Sequence, residues 1–174
     1  MADLSVNLNG LVLKNPILTA SGTYGYADEY NDFISVNNLG SIVTKAISLE
    51  PRSGNKGRRI METDAGMINS IGLENMGINA FLENVLPKLD EDRIPYIVNI
   101  AGATFDEYIE LARICDNNRI RAIELNLSCP NVHAGCLEFG TDEGSLYNLV
   151  NAVRNVYYGK IIAKLTPKIG RAHV

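Results

Sequence analysis

The residues best suited to chemistry are concentrated in one segment, Ile123–Asn131, which reads Ile-Glu-Leu-Asn-Leu-Ser-Cys-Pro-Asn. Apolar residues alternate through its first half as in a half-buried strand, and Pro130 ends the strand. Asn126, Cys129 and Asn131 are therefore left at the carboxyl end of a strand, where α/β proteins bind their ligands. A thiol in that position could act as a general acid or base, or as a nucleophile.

Cys129 also has less specific interpretations, since a single cysteine at a strand end can be an inert core thiol. A metal site would need partners at close spacing, but Cys136 is seven residues away and Cys115 falls on a predicted helix. We therefore predict no metal, a core role for Cys115 and no role for Cys136. The turn forced by Pro130 would expose the thiol of Cys129, and its amide neighbours would be costly to bury unpaired, which favours a functional site.

Other polar residues lie within or just beyond predicted strands. Lys45 and Lys164 each end an apolar strand, and Asn99 lies within another. One such lysine could simply extend to the surface, but two at one sheet edge suit an anionic ligand. Asn69 is either a turn residue or an amide that pairs with the carbonyl and N–H edge of a heterocycle.

The elements that must position these residues alternate along the chain. Strands are predicted near residues 41, 97, 121 and 161. Helices are predicted over 78–89, from a capping box at Thr104-Phe-Asp-Glu107 to 117, and from a cap at Thr141 or Asp142 to 153. A hairpin turns at Asn9-Gly10, and residues 48–77 are expected to form a long functional loop. The alternation indicates parallel βα units. Because polar residues follow several strands, it favours a TIM (β/α)8 barrel over a doubly wound sheet with one switch point.

Composition restricts the class of protein. The 174 residues are 46% hydrophobic and 21% charged, as in an ordinary globular domain, and the net charge of −4 does not favour nucleic-acid binding. No apolar run approaches the ~20 residues of a membrane helix, and Met1-Ala-Asp-Leu does not start a signal peptide. Three unclustered cysteines do not make a disulfide framework. We expect a cytoplasmic protein with reduced thiols that binds neither nucleic acid nor membrane.

These segments, in this order, resemble dihydroorotate dehydrogenase, a family of FMN enzymes of pyrimidine synthesis. The resemblance runs from about Leu4 to Pro167. The motifs that carry it are Asn15-Pro-Ile17, Ala20-Ser-Gly22, Lys45, Pro51-Arg-Ser-Gly-Asn55, Asn69-Ser-Ile-Gly-Leu73, Asn99 and Asn126-Leu-Ser-Cys-Pro-Asn131.

The chain is similar to the class 1 enzymes, because the class 2 enzymes have serine where Cys129 stands. Within class 1 it is similar to the NAD-linked 1B type rather than the fumarate-reducing 1A type, as Glu62–Met67 and Phe139–Asp142 indicate. Gly135-Cys136 departs from the two glycines usual in the 1B type.

The resemblance implies oxidation of dihydroorotate to orotate on the route to UMP. Cys129 would take a proton from C5 while a hydride leaves C6 for the flavin. The residues implied to hold the substrate are Asn69, Gly72, Leu73, Asn126 and Asn131, with Lys45 between substrate and flavin. The residues implied to contact FMN are Ala20, Ser21, Gly22, Lys45, Asn99, Asn126 and Lys164.

The 1B resemblance also implies a homodimer and a partner subunit that carries FAD and an iron–sulfur cluster and passes electrons to NAD. Only the first four of eight barrel strands, and the hairpin before them, are readable. We therefore interpret residues 1–168 as the N-terminal half of the barrel domain and residues 169–174 as a non-native, adapter-like tail. Loops after the last strands bind the phosphate in such barrels, so we expect this chain alone to be inactive.

Two other functions stay open on the sequence. The chain could be part of a related flavin barrel that acts on pyrimidines, such as dihydropyrimidine dehydrogenase or dihydrouridine synthase. It could also be a non-catalytic fragment or interaction module. Activity on dihydroorotate rather than dihydrouracil would decide the first question, and bound flavin would decide the second.

Overall fold

The computed structural model describes residues 2–26, 29–30, 32–128 and 142–165. In chain order the elements are β1 (Val6–Leu8), β2 (Leu11–Leu13), β3 (Ile42–Val43), β4 (Ile60–Thr63), β5 (Gly66–Asn69), α1 (Gly77–Asn84), β6 (Tyr96–Ile100), α2 (Phe105–Asn117), β7 (Ala122–Asn126), α3 (Glu143–Arg154) and β8 (Lys160–Lys164). Short 3₁₀ turns lie at Val36–Asn38 and Leu86–Lys88. No helix within these ranges is long and apolar enough to cross a membrane.

A four-stranded parallel sheet in the order β3-β6-β7-β8 forms the centre of the fold. Its register pairs Val43 with Ile97, and Asn126 with Lys164. Helix α2 connects β6 to β7, and α3 lies between β7 and β8 in the chain. This mixed α/β arrangement confirms the predicted fold class, because it is consistent with the N-terminal half of a TIM barrel.

The two faces of the sheet bury different sets of side chains. On one face, the side chains of Val98, Ile123 and Leu125 pack in a large apolar cluster with residues of α1, α2 and α3. The opposite face is apolar only towards the amino ends of the strands, where Val43, Ile97 and Ala122 contact residues of β2. The carboxyl ends of the strands on that second face are therefore left to polar residues.

The hairpin of β1 and β2 covers the apolar part of that second face. Its predicted turn is confirmed: Asn9 and Gly10 have φ angles of 50° and 95°, as a two-residue turn of type I′ requires. The turn puts Leu11 and Leu13 on one side of β2, where both are buried in the cluster with Val43 and Ile97.

The structure corrects two predicted elements. Residues 48–77 are not wholly irregular, since β4 and β5 pair there as an antiparallel hairpin. All eight residues of these strands are exposed, so no buried face produces the alternation that identifies a strand. Helix α1 ends at Asn84 instead of residue 89, because Pro87 has no N–H to donate and a 3₁₀ turn follows.

Two helix starts have the side-chain caps that the sequence predicts. Thr104 Oγ1 accepts from the N–H of Glu107 at 3.2 Å, and Glu107 Oε2 accepts from the N–H of Ala103 at 2.5 Å. Asp142 Oδ2 accepts from the N–H of Ser145 at 2.7 Å, and this bond lowers the pKa of the Asp142 carboxyl. These caps fix the starts of the two helices that follow β6 and β7.

Candidate functional site

A pocket of about 570 Å³ lies at the carboxyl ends of the parallel strands. Most of the residues that the resemblance places at the flavin and the substrate line it. They are Ser21, Gly22, Lys45, Asn69, Gly72, Leu73, Asn126 and Lys164. The fold therefore brings to one place residues that lie up to 143 positions apart in the chain.

The strand ends set the positions of the residues at the base of the pocket. Asn126 and Lys164 are paired in register as the last residues of β7 and β8. The backbone carbonyl of Asn126 accepts from the buried hydroxyl of Tyr108 on α2 at 2.6 Å. The backbone N–H of Lys45 donates to the carbonyl of Gly25 at 2.8 Å. Hydrogen bonds from neighbouring elements thus hold this side of the pocket.

The segment 69–73 forms another wall of the pocket, and we call it the substrate loop after the role that the resemblance implies for Asn69, Gly72 and Leu73. Gly72 and Leu73 have φ angles of 78° and 54°, and a Cβ on Gly72 would lie 2.5 Å from the backbone nitrogen of Asn55. The N–H of Asn55 donates to the carbonyl of Ile71 at 3.0 Å, and its Nδ2 donates to Ser70 Oγ at 2.8 Å. Glycine at position 72 is therefore what allows the loop to pack against Asn55.

Asn75 anchors the substrate loop to the segment that follows β3, at Ser48, and the sequence analysis did not identify it. Its Oδ1 accepts from the N–H groups of Ser48 and Gly77 at 3.1 and 2.9 Å. Its Nδ2 donates to the carbonyl of Leu73 at 2.8 Å. Asn75 itself is buried. One side chain thus joins the loop, the segment after β3 and the start of α1.

Arg59 also braces the substrate loop from the outside. It forms an ion pair with Glu74 at 2.8 Å and donates to the carbonyls of Ser53 and Asn55 at 2.7 and 2.5 Å. The Arg59 and Glu74 side chains are both partly exposed, so the ion pair itself adds little stability. The contacts of Arg59 instead fix the conformation of the chain around Ser53 and Asn55, against which the substrate loop packs.

Polar side chains of neighbouring strands lie next to one another beside the pocket, on the face of the sheet opposite the helices, which we call the inner face. Asn99 Nδ2 donates to Glu124 Oε1 at 2.5 Å, and Lys164 Nζ lies 3.9 Å from the same oxygen. Asn99 Oδ1 is buried without a hydrogen-bond partner in the described part of the chain. Glu124 lies beside the pocket, lines a larger cavity on the same face of the sheet and was not identified by the sequence analysis, although it lies two positions before Asn126 in an alternating strand.

Lys45 is a positive group in the pocket that forms no ion pair with any described residue. Within the described ranges, no carboxylate lies within 4.0 Å of the Lys45 ammonium. Lys164 is the second cation, and Glu124 is its ion-pair partner. An uncompensated ammonium favours a ligand that carries or develops negative charge.

Some of the residues predicted to lie in the functional site are not among those that line the pocket. Ala20 is exposed and does not line the pocket, and its carbonyl accepts from Thr23 Oγ1 at 2.7 Å. Asn99 is buried in the sheet below the pocket. Cys129, Asn131 and residues 169–174 lie outside the described residues, so their roles stay predictions.

The interpretation of Cys115 as a core residue is confirmed. Its thiol is buried, and burial raises its pKa to about 12, so it is inert at neutral pH. Within the described ranges, no group of three or more His, Cys, Asp or Glu side chains could hold a metal ion.

A larger cavity of about 850 Å³ lies at the opposite ends of the strands, between the first hairpin and β8. Leu8, Ile97 and Ile162 line it, and none of the predicted site residues does. In barrels the amino ends of the strands serve stability and the carboxyl ends bind ligands. The smaller pocket is therefore the candidate site.

Comparisons with known proteins agree with this assignment of fold. The family model described as dihydroorotate dehydrogenase matches residues 3–173. A protein of Geobacter sulfurreducens named "Dihydroorotate dehydrogenase B (NAD(+)), catalytic subunit" is 46% identical over 168 residues, which cover 96% of this chain and 55% of that relative.

Relatives of the same name from two further bacteria are equally similar. The protein of Thermoanaerobacter pseudethanolicus is 45% identical, and that of Parabacteroides distasonis is also 45% identical. In both comparisons the match covers 97% of this chain and 56% of the relative. The chain thus spans about half the length of the curated relatives it matches, and it belongs to the dihydroorotate dehydrogenase family.

Proposed function

We propose that this chain supplies the flavin- and substrate-binding half of an enzyme that oxidises dihydroorotate to orotate in pyrimidine (UMP) synthesis. The observation that carries the proposal is the pocket at the strand ends, which gathers Lys45, the substrate loop, Asn126 and Lys164. Amides and ammonium groups complement the carbonyl and N–H edges of pyrimidine rings and the negative charge of orotate.

Three observations fit FMN as the cofactor. Asn99 Oδ1 is a buried acceptor that lacks a donor among the described residues, and a flavin ring offers an N–H. Gly22 lines the pocket with a φ of 83°, and a Cβ there would meet no atom within 4 Å, so space is open beside its backbone. Lys45 and Lys164 supply positive charge. A bound FMN would supply the acceptor for the hydride.

We assign the residues of this chain to two groups. Those proposed to hold FMN are Ala20, Ser21, Gly22, Lys45, Asn99, Asn126 and Lys164. Those proposed to hold dihydroorotate are Lys45, Asn69, Gly72, Leu73, Asn126 and Asn131. Cys129 is proposed to remove the proton from C5, because a thiol held rigidly against its substrate is a competent base near neutral pH.

Partner and domain assignments belong to the same proposal. The relatives' name specifies a catalytic subunit and NAD. We propose a homodimer that works with an electron-transfer subunit carrying FAD and an iron–sulfur cluster. Residues 1–168 would form half of the barrel domain, with residues 169–174 outside it. Turnover would require the remaining half of the barrel, to which the FMN phosphate site of such folds belongs.

The experiment that tests the function uses the full-length gene product under anaerobic conditions. Stopped-flow absorbance should show flavin reduction by dihydroorotate and none by dihydrouracil. Cys129→Ala should retain bound FMN but reduce it ~10²–10⁴-fold more slowly, since that is the typical contribution of a general base.

Cys136→Ala is the matched control, because it removes a nearby thiol to which no role is assigned. Its reduction rate should equal that of the wild type. Faster reduction by dihydrouracil would indicate the related pyrimidine-reducing barrels instead. A Cys129→Ala rate equal to that of the wild type would refute the assignment of the base.

A further inference from the structure

Glu124 occupies a position where burying an apolar side chain would cost less desolvation free energy than burying a carboxylate. Its neighbours Ile123 and Leu125 point into the helix-facing core, and Glu124 lies on the opposite, inner face of β7. Its side chain is only 12% exposed. A carboxylate so removed from water is retained only when it is paired and hydrogen-bonded. Its contacts should therefore explain why it is there.

The register of the sheet places two proposed flavin ligands around Glu124. Asn99 on β6 is its direct neighbour, and Lys164 on β8 is two residues beyond its other neighbour, Ile162. One oxygen, Oε1, serves both: it accepts from Asn99 Nδ2 at 2.5 Å and lies 3.9 Å from Lys164 Nζ.

The hydrogen bond between Glu124 and Asn99 determines which atom of the Asn99 amide remains available for a ligand. A carboxylate oxygen only accepts, so the amide nitrogen of Asn99 must face it. The amide oxygen is then left buried and without a partner among the described residues. Glu124 thereby leaves the amide oxygen of Asn99 available to the ligand. This oxygen can accept a hydrogen bond from an N–H of the ligand but cannot donate one.

The contact with Lys164 sets the position and the net charge of that cation. Lys164 lines the pocket with 35% of its side chain exposed, so it has freedom that the ion pair restricts. A negative charge at 3.9 Å also offsets part of the field that the ammonium would exert on a ligand. Lys45 has no such partner in the described ranges, so the two lysines of the pocket are not equivalent.

We propose that Glu124 is a positioning residue of the flavin site: it orients the Asn99 amide, and it holds Lys164 while reducing that lysine's effective charge at the flavin. This inference rests on the proposed function insofar as the ligand is FMN. Its consequence is that the flavin is harder to reduce than it would be beside an unpaired lysine, because reduction adds negative charge to the ring.

The test is the reduction potential of FMN bound to the full-length protein with Glu124→Gln. Glutamine keeps the size and an acceptor for Asn99 but removes the charge. The potential should become more positive by an amount equal to at least a tenfold change in the two-electron equilibrium, ~30 mV. Glu110→Gln is the control, since it removes one charge from the exposed side of α2, where Glu110 pairs with Arg113. The control should change the equilibrium less than threefold.

A second variant, Glu124→Asp, separates positioning from charge. It keeps the charge but withdraws the carboxylate from Asn99. We expect the equilibrium to stay within threefold of the wild type and FMN to dissociate at least threefold more readily, as measured by recovery of flavin fluorescence. If Glu124→Gln fails to fold, the FMN dissociation measured for Glu124→Asp still tests the proposal.

The outcomes keep this proposal separate from the proposed function. A Glu124→Gln potential equal to that of Glu110→Gln would overturn the effect of Glu124 on the charge of Lys164, and a Glu124→Asp affinity equal to the wild type would overturn its role in orienting Asn99. Wild-type protein that binds no FMN would overturn the proposed function and this inference with it.

Discussion

Asn75 offers the sharpest test of how the substrate loop is held. Asn75→Ala in the full-length protein removes the acceptor for the N–H groups of Ser48 and Gly77 and the donor to the carbonyl of Leu73. Ser48 and Gly77 are buried, so water cannot easily replace these bonds. At about 1 kcal/mol for each hydrogen bond, the free energy of unfolding should fall by about 3 kcal/mol.

The same substitution should weaken the site, because Asn75 joins the substrate loop to the segment that follows β3. Urea unfolding followed by circular dichroism gives the stability, and orotate titration by flavin absorbance gives the affinity. Asn84→Ala is the matched control: its Nδ2 donates to the carbonyl of Ala80 on an exposed stretch of α1. The control should change stability by no more than about 0.5 kcal/mol. An Asn75→Ala loss no larger than that of the control would refute the idea that one side chain anchors the loop.

Three further predictions concern the loop, the substrate and the chain itself. Gly72→Ala should destabilise the protein by at least about 1 kcal/mol more than Gly57→Ala, because both glycines have φ near 80° but only the first would bring a Cβ within 2.5 Å of a backbone atom; equal melting temperatures would contradict this. Asn69→Ala and Asn131→Ala should each weaken orotate binding by about 1–3 kcal/mol, since the ligand would lose a hydrogen-bond partner, and unchanged affinity in both would remove them from the substrate site. The 174-residue chain alone should aggregate and lack stoichiometric FMN, because within the described ranges no strand covers the outer edge of β8; a cooperative melt and a flavin spectrum would contradict it.

The edge of the sheet at β3 is partly covered by another segment of the chain. Residues 17–19 run along the outer side of β3. The hydroxyl of Thr19 accepts from the N–H of Val43 at 2.9 Å, and the N–H of Gly40 donates to the carbonyl of Ile17 at 2.7 Å. This contact joins segments more than 20 residues apart, so no local pattern could have indicated it.

The parallel βα units, the first hairpin and the helix caps could be predicted from the amino-acid sequence. These depend on residues close together in the chain: the Asn9-Gly10 turn, the alternation around Leu125 and the Thr104 cap. The shared location of Lys45, Asn126 and Lys164 at the pocket could also be predicted, because residues at the ends of parallel strands meet at one edge once the strands align, whereas Ser21, Gly22, Gly72 and Leu73 were implied only by the family resemblance. A strand without a buried face, such as β4, leaves no such pattern and was missed.

The contacts between polar side chains of different strands could not be predicted from the sequence. The sequence shows that Glu124 and Asn126 share a face of β7, but not that Glu124 bonds to Asn99 on one neighbour and approaches Lys164 on the other. That depends on the register between strands, which is fixed by packing of both sheet faces over the whole domain. For the same reason Asn75, whose partners lie on three separate segments, could be recognised as an anchor only after the chain was folded.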